Sequence, residues 1–320
     1  MNNNNFLPWV EKYRPLDIQD IISHDQNIET IKKLLENDSL PHLLFYGCPG
    51  TGKTSTILAL AKKLYGINLK LMVMKLDASD DRGINSVRED IKGFAEKSNM
   101  FIHGVRLVIL DEADSMTFDA QFALRRIIEK YSESIRFCLI CNYENKIIPA
   151  LRSRCANFRF GYINLEHIQA KLKEIALNEN IIIEDNILSS ISYLGKGDLR
   201  KAINIFQLIS NKSNITISEC YNTLGVPFKE DIIFIINIFR NKTISFKELY
   251  NIFLNLYNNK NYSLNLFITE LLLVILDNNI CISNYLNLIY ELSELEFMLT
   301  KSSTPYIYIG YFVSILIENV

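Results

Sequence analysis

The stretch "GCPGTGKTS", residues 47–55, places glycines, a lysine and a threonine at the spacing G-x-x-x-x-G-K-[ST]. Glycines let a loop fold tightly and aim its backbone N–H groups inward, where they meet phosphate oxygens. In that chemistry Lys53 reaches the β and γ phosphates of a nucleotide, and the Thr54 hydroxyl binds magnesium. Gly47, Cys48, Pro49, Gly50, Thr51, Gly52 and Ser55 complete the cradle. The bland alternative is a glycine-rich turn with no ligand. A second stretch, "LVILDEAD" at 107–114, runs four apolar residues into Asp111 and Glu112. Acids at the end of a buried strand are costly unless a cation meets them. Asp111 fits a magnesium partner across from Thr54, and Glu112 fits a base that polarises the attacking water. Otherwise the two acids merely cap the next loop.

Both stretches need a strand before them and a helix after the first. "HLLFYG" leads into the glycine loop as a strand, and "KTSTILALAKKL" follows as an amphipathic helix, which is the setting a phosphate cradle requires. "LMVMKLD", "RLVILDEAD" and "RFCLICN" read as further strands buried on both faces. Helical stretches lie between them. In "TFDAQFALRRIIEKY", Ala120, Ala123, Leu124, Ile127 and Tyr131 share one helix face. Strands alternating with helices predict a parallel α/β sheet. From about 164 the pattern is wholly helical, with "LEHIQAKLKEIALNEN", "EDNILSSISYLGKG" and "DLRKAINIFQLIS" as three helices. "GVPFKED" reads as a joint, and a second helical part follows it. The expected division is 1–163, 164–226 and 227–320.

Composition sets outer limits. The chain has 320 residues, 48% hydrophobic and 22% charged, as ordinary globular proteins have. Its net charge of -2 argues against coating nucleic acid with the whole surface. A local basic face, or a channel shared by several subunits, stays open. No apolar run reaches the roughly 18 residues of a membrane span. "MNNNNFLPWVEKYRP" lacks a basic start followed by an apolar block, so the expectation is a protein that stays inside the cell. Of the cysteines, Cys138 and Cys141 alone have C-x-x-C spacing, but they lie in a strand. Residues three apart on a strand point to opposite faces. Reduced core thiols are the better reading than a zinc or redox pair.

"ILDEAD", "LDASDDRGI", "FCLICNYENKIIPALRSRC" and "PWVEKYRP" together resemble the small subunits of replication factor C, the AAA+ clamp loader of DNA replication. Tyr143 after Asn142, and "KIIPAL", look most like the subunit numbered five in human and three in yeast. The resemblance is dense from about residue 6 to 163, continues through "GKGDLRKAIN", and is weak after about 225. Cys48 departs from it, standing where the family usually has proline. The side chain there does not contact phosphate, so nucleotide binding is expected to survive.

The resemblance implies an AAA+ P-loop ATPase domain with a parallel sheet, a helical lid, and a C-terminal all-α collar. It implies ATP and Mg2+ as cofactors. Asn142 suits a polar sensor near the γ phosphate; otherwise it caps a strand end. Arg154, in "SRC", resembles a finger pointed in trans at a neighbour's ATP. Arg152 and Arg159 beside it allow a plain basic loop instead. Arg200 starts a helix with Asp198 as its N-cap. A cation there opposes the helix dipole, so a ligand phosphate gives it a reason, and it matches the family's second sensor. Val10, Arg14 and Ile22 match positions near the adenine and its flanking groups, while Trp9 and Tyr13 suit the core equally.

The partners implied are other clamp-loader subunits in a heteropentamer, a sliding clamp, and primer–template DNA, in the nucleus. DNA would be met at its phosphates by residues such as Arg82, Arg88 and Lys92; these also suit a solvated face. Met100 and Phe101 form a candidate clamp-contact tip or fold back into the core. Two other readings remain: a homo-hexameric AAA+ motor of the branch-migration type, and a scaffold subunit that binds ATP without cleaving it.

Overall fold

The computed structural model describes residues 7–36, 40–78, 83–96, 104–211, 215–240, 244–277, 284–301 and 305–319. The chain forms two compact units, Met1–Leu208 and Ile209–Val320. In the first unit a short helix α1 (Trp9–Lys12) and α2 (Asp25–Glu36) precede the sheet. The strands are β1 (His42–Gly47), β2 (Val73–Asp77), β3 (Arg106–Asp111), β4 (Ile135–Cys141) and β5 (Cys155–Phe160). They pair in parallel, in the order β2-β3-β4-β1-β5. Parallel neighbours need crossovers. These are α3 (Lys53–Tyr65) with α4 (Leu69–Met72), then α5 (Gly83–Glu96), α6 (Phe118–Tyr131) and α7 (Pro149–Arg152).

The central strands are buried on both faces because the crossovers cover both. Leu43, Phe45, Leu107, Ile109, Cys138 and Ile140 pack with Ile31 and Ile57 on one side. Leu44, Val108, Leu110, Phe137, Leu139 and Cys141 pack with Ile91, Leu124 and Ile128 on the other. Cys138 and Cys141 therefore sit in different cores, as the strand period requires. Burial pushes the Cys141 thiol up to about 12 and the Cys138 thiol well above the ordinary thiol range. Neither is a thiolate ready for metal or redox chemistry.

The edges differ from the sequence expectation. β2 is not buried on both faces: Lys75 and Asp77 are exposed. Its first two expected residues, Leu71 and Met72, belong to α4. β5 was not anticipated at all. It buries Phe158 and Phe160 while exposing Asn157 and Arg159, so its apolar residues alternate and form no continuous run. Arg159, which the basic-loop alternative for Arg154 included, is a strand residue.

The three helices expected after 163 are α8 (Leu165–Asn178), α9 (Asp185–Gly195) and α10 (Leu199–Ser210). They are tied to the N-terminal segment. The Trp9 N–H donates to Gln207 Oε1 at 3.0 Å, and its ring meets Phe206 edge-on at 5.2 Å. Lys12 and the Tyr13 hydroxyl both donate to Glu179 Oε1, at 2.6 and 2.5 Å. Trp9 and Tyr13 are thus half-buried braces.

The second unit is helical: α11 (Ile217–Leu224), α12 (Lys229–Phe239), α13 (Phe246–Asn259), α14 (Leu264–Asp277), α15 (Tyr285–Lys301) and α16 (Pro305–Asn319). "GVPFKED" spans the α11–α12 turn, where Gly225 adopts φ 65°. Phe253, Phe267 and Phe312 are fully buried and touch pairwise, with ring centroids 5.0–5.7 Å apart. Among the described residues no helix is long and apolar enough to cross a membrane. Phe253→Ala empties the centre of this cluster and should cost about 3–5 kcal/mol. Urea denaturation followed by helical circular dichroism checks this: part of the transition moves to lower urea.

Candidate nucleotide site

The loop after β1 is held in a shape that only glycine fits. Gly47 has φ 135°, and a Cβ there would lie 2.0 Å from the Phe160 carbonyl oxygen. Gly50 has φ 67°, and a Cβ would lie 1.6 Å from the Asp198 carboxylate. Gly52, at φ 97°, leads directly into α3. The start of α10 abuts this loop: the Leu199 N–H donates to Gly50 O at 3.3 Å. The loop also closes on itself through Thr51 Oγ1, 2.8 Å from Cys48 O.

Lys53 is 7% exposed. Its ammonium donates to Gly47 O at 2.8 Å, Cys48 O at 2.7 Å and Asn142 Oδ1 at 3.0 Å. A lysine has three N–H donors, and all three are satisfied by oxygen. Burial pushes its pKa below the ordinary lysine range, while Cys141, Cys48, Asp111 and Asp114 pull it back up. Gly47 and Cys48 serve through their carbonyls and do not line the cleft. The Cys48 side chain lies beside the Tyr162 hydroxyl.

Across from Lys53, β3 ends in the acids. Thr54 Oγ1 lies 3.2 and 3.4 Å from the two Asp111 carboxylate oxygens. The cation that meets Asp111 is Lys75 of β2, at 3.1 Å. Sequence reasoning missed Lys75 because strand pairing, not spacing, brings it there. Glu112 is exposed and holds a left-handed backbone, φ 54° and ψ 38°. That turn is fixed by its N–H on Asp111 Oδ1 and by Ser115, which donates twice to its carbonyl. Asp114, also missed, accepts the N–H groups of Asn142 and Tyr143, each at 3.2 Å. The segment beyond is pinned by Gln121, buried on α6. Its amide donates to Lys146 O at 2.9 Å and accepts from the Ile148 N–H at 2.8 Å.

One cleft gathers most of the expected residues. Its lining includes Val10, Arg14 and Ile22, the loop from Pro49 to Ser55, Asp111, Glu112, Asn142 and Arg200. Ile163, Leu199 and Ile203 add an apolar wall the sequence did not single out. Arg200 is exposed on the first turn of α10, whose cap is Asp198: the Lys201 N–H donates to its Oδ1 at 3.0 Å. Arg154 is not in this lining. It is bound to Glu129 and to Ala150 O. Arg82, Met100 and Phe101 lie outside the described residues, as does the Arg88 side chain; Lys92 is exposed on α5. Among the described residues no cluster of three His, Cys, Asp or Glu can hold a metal. The Thr54–Asp111 oxygen pair fits a hard cation that takes its remaining ligands from phosphate and water.

Residues 43–161 match the ATPase family associated with various cellular activities (AAA). The chain is 52% identical over 242 residues to the probable replication factor C subunit 5 of Dictyostelium discoideum, covering 73% of this chain and 69% of that protein. It is 50% identical over 238 residues to replication factor C subunit 5 of Homo sapiens, covering 74% and 70%. It is 44% identical over 232 residues to replication factor C subunit 3 of Saccharomyces cerevisiae, covering 71% and 68%. Among solved structures, the Thermotoga maritima RuvB Holliday junction branch migration motor has a similar fold, with TM-score 0.54 and 16% identity over 78% of this chain and 86% of that one. A glycine loop closed around Lys53, and relatives this similar over most of their length, lead to one conclusion: the chain belongs to the replication factor C subunits, within the AAA ATPases.

Proposed function

We propose that the chain is an ATPase subunit of a heteropentameric clamp loader in the nucleus, which opens a sliding clamp and loads it on primer–template DNA. The observation that carries the site is Lys53, whose three N–H groups rest on Gly47 O, Cys48 O and Asn142 Oδ1 inside a cleft. Phosphate oxygens are the natural replacements for those acceptors. Val10, Arg14 and Ile22 would flank the adenine, and the glycine loop would wrap the phosphates. Thr54 and Asp111 would hold Mg2+, which neutralises charge on the β- and γ-phosphate oxygens. Glu112 would take a proton from the attacking water, Asn142 would orient that water, and Arg200 would bring the lid helices onto the γ phosphate. Arg154 would serve the neighbouring subunit's site, since its own cleft does not include it. Phosphoryl transfer depends chiefly on such positioning and charge stabilisation.

The same reading assigns DNA phosphate contacts to Arg82, Arg88 and Lys92, and divides the chain into an ATPase domain at 1–163, a lid at 164–226 and a collar at 227–320. The homo-hexameric motor has the fold in its favour and nothing more, because 16% identity speaks to fold alone. Native mass spectrometry of the complex from cells separates the two: a heteropentamer with one larger chain supports the loader, and a homo-hexamer overturns it.

Lys53→Ala removes a charged hydrogen-bond donor, worth about 1.5–3 kcal/mol, and should weaken ATP binding roughly 10- to 100-fold. Filter binding with labelled ATP measures this, and unchanged affinity would count against the cradle. Glu112→Gln keeps the shape and loses the base, so binding stays and turnover at this site drops by about 10² to 10⁴. Single-turnover hydrolysis in the assembled complex reads the loss. Arg154→Ala should leave this subunit's ATP affinity intact and cut hydrolysis at the adjacent site by on the order of 10³ to 10⁵. Complexes with one active site each will locate that defect. A loss on this subunit's own ATP, or none, sinks the trans assignment.

A further inference from the structure

Arg154 sits between α7 and β5, and its side chain is fixed at both ends of the guanidinium. Nη1 donates to Ala150 O at 2.7 Å, and Nη2 donates to Glu129 Oε1. The same Glu129 oxygen accepts from Arg125 Nε at 3.0 Å. Glu129 is carried by α6, whose opposite face buries Leu124, Ile127 and Ile128 in the sheet core. The carboxylate therefore projects from a rigid element. The ion pair is partly open to solvent, with Arg154 at 32% and Glu129 at 43% exposure. An exposed pair of this kind adds little to stability, so stability does not explain it.

We infer that Glu129 is the positioning residue for Arg154, holding its guanidinium at the place where a neighbouring subunit's γ phosphate meets it. This rests on the trans reading of Arg154. A free arginine samples many rotamers, and each must be lost again when a phosphate arrives. Here two of the five guanidinium donors are spent on Glu129 and Ala150, and among the described residues the other three meet no acceptor, so they can serve phosphate oxygens. Arg125, on the same carboxylate oxygen, restrains Glu129 in turn. The arrangement is a relay of contacts: Arg125 steadies Glu129, and Glu129 steadies Arg154. Glu129 itself touches no nucleotide of its own subunit, since it does not line the cleft.

The test uses the full reconstituted complex with one competent ATP site, the one facing Arg154. Glu129→Ala should lower kcat there by on the order of tenfold to a hundredfold, as small misplacements of a catalytic group do. KM and this subunit's own ATP affinity should stay within about twofold, because binding by the P-loop is untouched. Glu129→Gln should retain most activity, because its amide oxygen still accepts from both arginines. The combined Glu129→Ala and Arg154→Ala variant should be no slower than Arg154→Ala alone, since the two act as one unit. Additive losses, a Gln variant as damaged as Ala, or an unchanged kcat in Glu129→Ala would each overturn the inference. A silent Arg154→Ala would instead bring down the trans reading itself, and this inference with it. Melting curves of each complex identify any loss that comes from misfolding: if the Ala variant melts early, the Gln variant and the double variant decide.

Discussion

A lysine ammonium withdrawn from water must find an oxygen for every proton or lose its charge. Lys53 meets that demand with the carbonyls of Gly47, which ends β1, and Cys48, which follows it, and with the amide oxygen of Asn142 just past β4. Much of the first unit follows from it. The chain turns tightly around the ammonium through Gly47 and Gly50, which hold backbone angles that strain other residues. Asn142 is in reach only because β4 pairs directly with β1, with Tyr46 opposite Cys141. Asp114 then fixes the chain on leaving β4, through the N–H groups of Asn142 and Tyr143.

The strand order explains why the site gathers where it does. The chain leaves β1, crosses to the far edge at β2, and returns through β3 and β4 before adding β5. Clefts in such sheets open at the carboxyl ends of the strands, where the order reverses. Here those ends carry the glycine loop, Asp111 and Asn142. The lid helices add a further wall, with Asp198 pressed against Gly50 and Arg200 lining the cleft. A single helix, α6, braces the segment from 142 to 154: Gln121 grips its middle and Glu129 its end. The chain around Asn142 and the Arg154 guanidinium thus share one rigid support.

The helices after residue 163 were legible because each shows helical spacing; the third also has its cap in sequence. Asp198 three residues before Lys201 is enough to start α10. The central strands were legible as continuous apolar runs, which follow from burial on two faces. The edges were not. β5 faces the core on one side only, so just two buried residues, Phe158 and Phe160, mark it, too short an alternation to read as a strand. α4 took Leu71 and Met72 because an apolar run of that length suits either state.

The sequence by itself determined the chemistry available. Lys53, Thr54, Asp111 and Glu112 announce themselves by spacing, since a phosphate loop is local and its residues must be neighbours in the chain. The C-x-x-C pair could likewise be set aside from strand periodicity alone. Tertiary structure decided what those groups meet. Lys53 and Asn142 are 89 residues apart, and Arg154 and Glu129 are 25 apart. Lys75 reaches Asp111 only through the pairing of β2 with β3. Such contacts depend on strand order, register and helix packing, which are global properties that no local pattern of residues records.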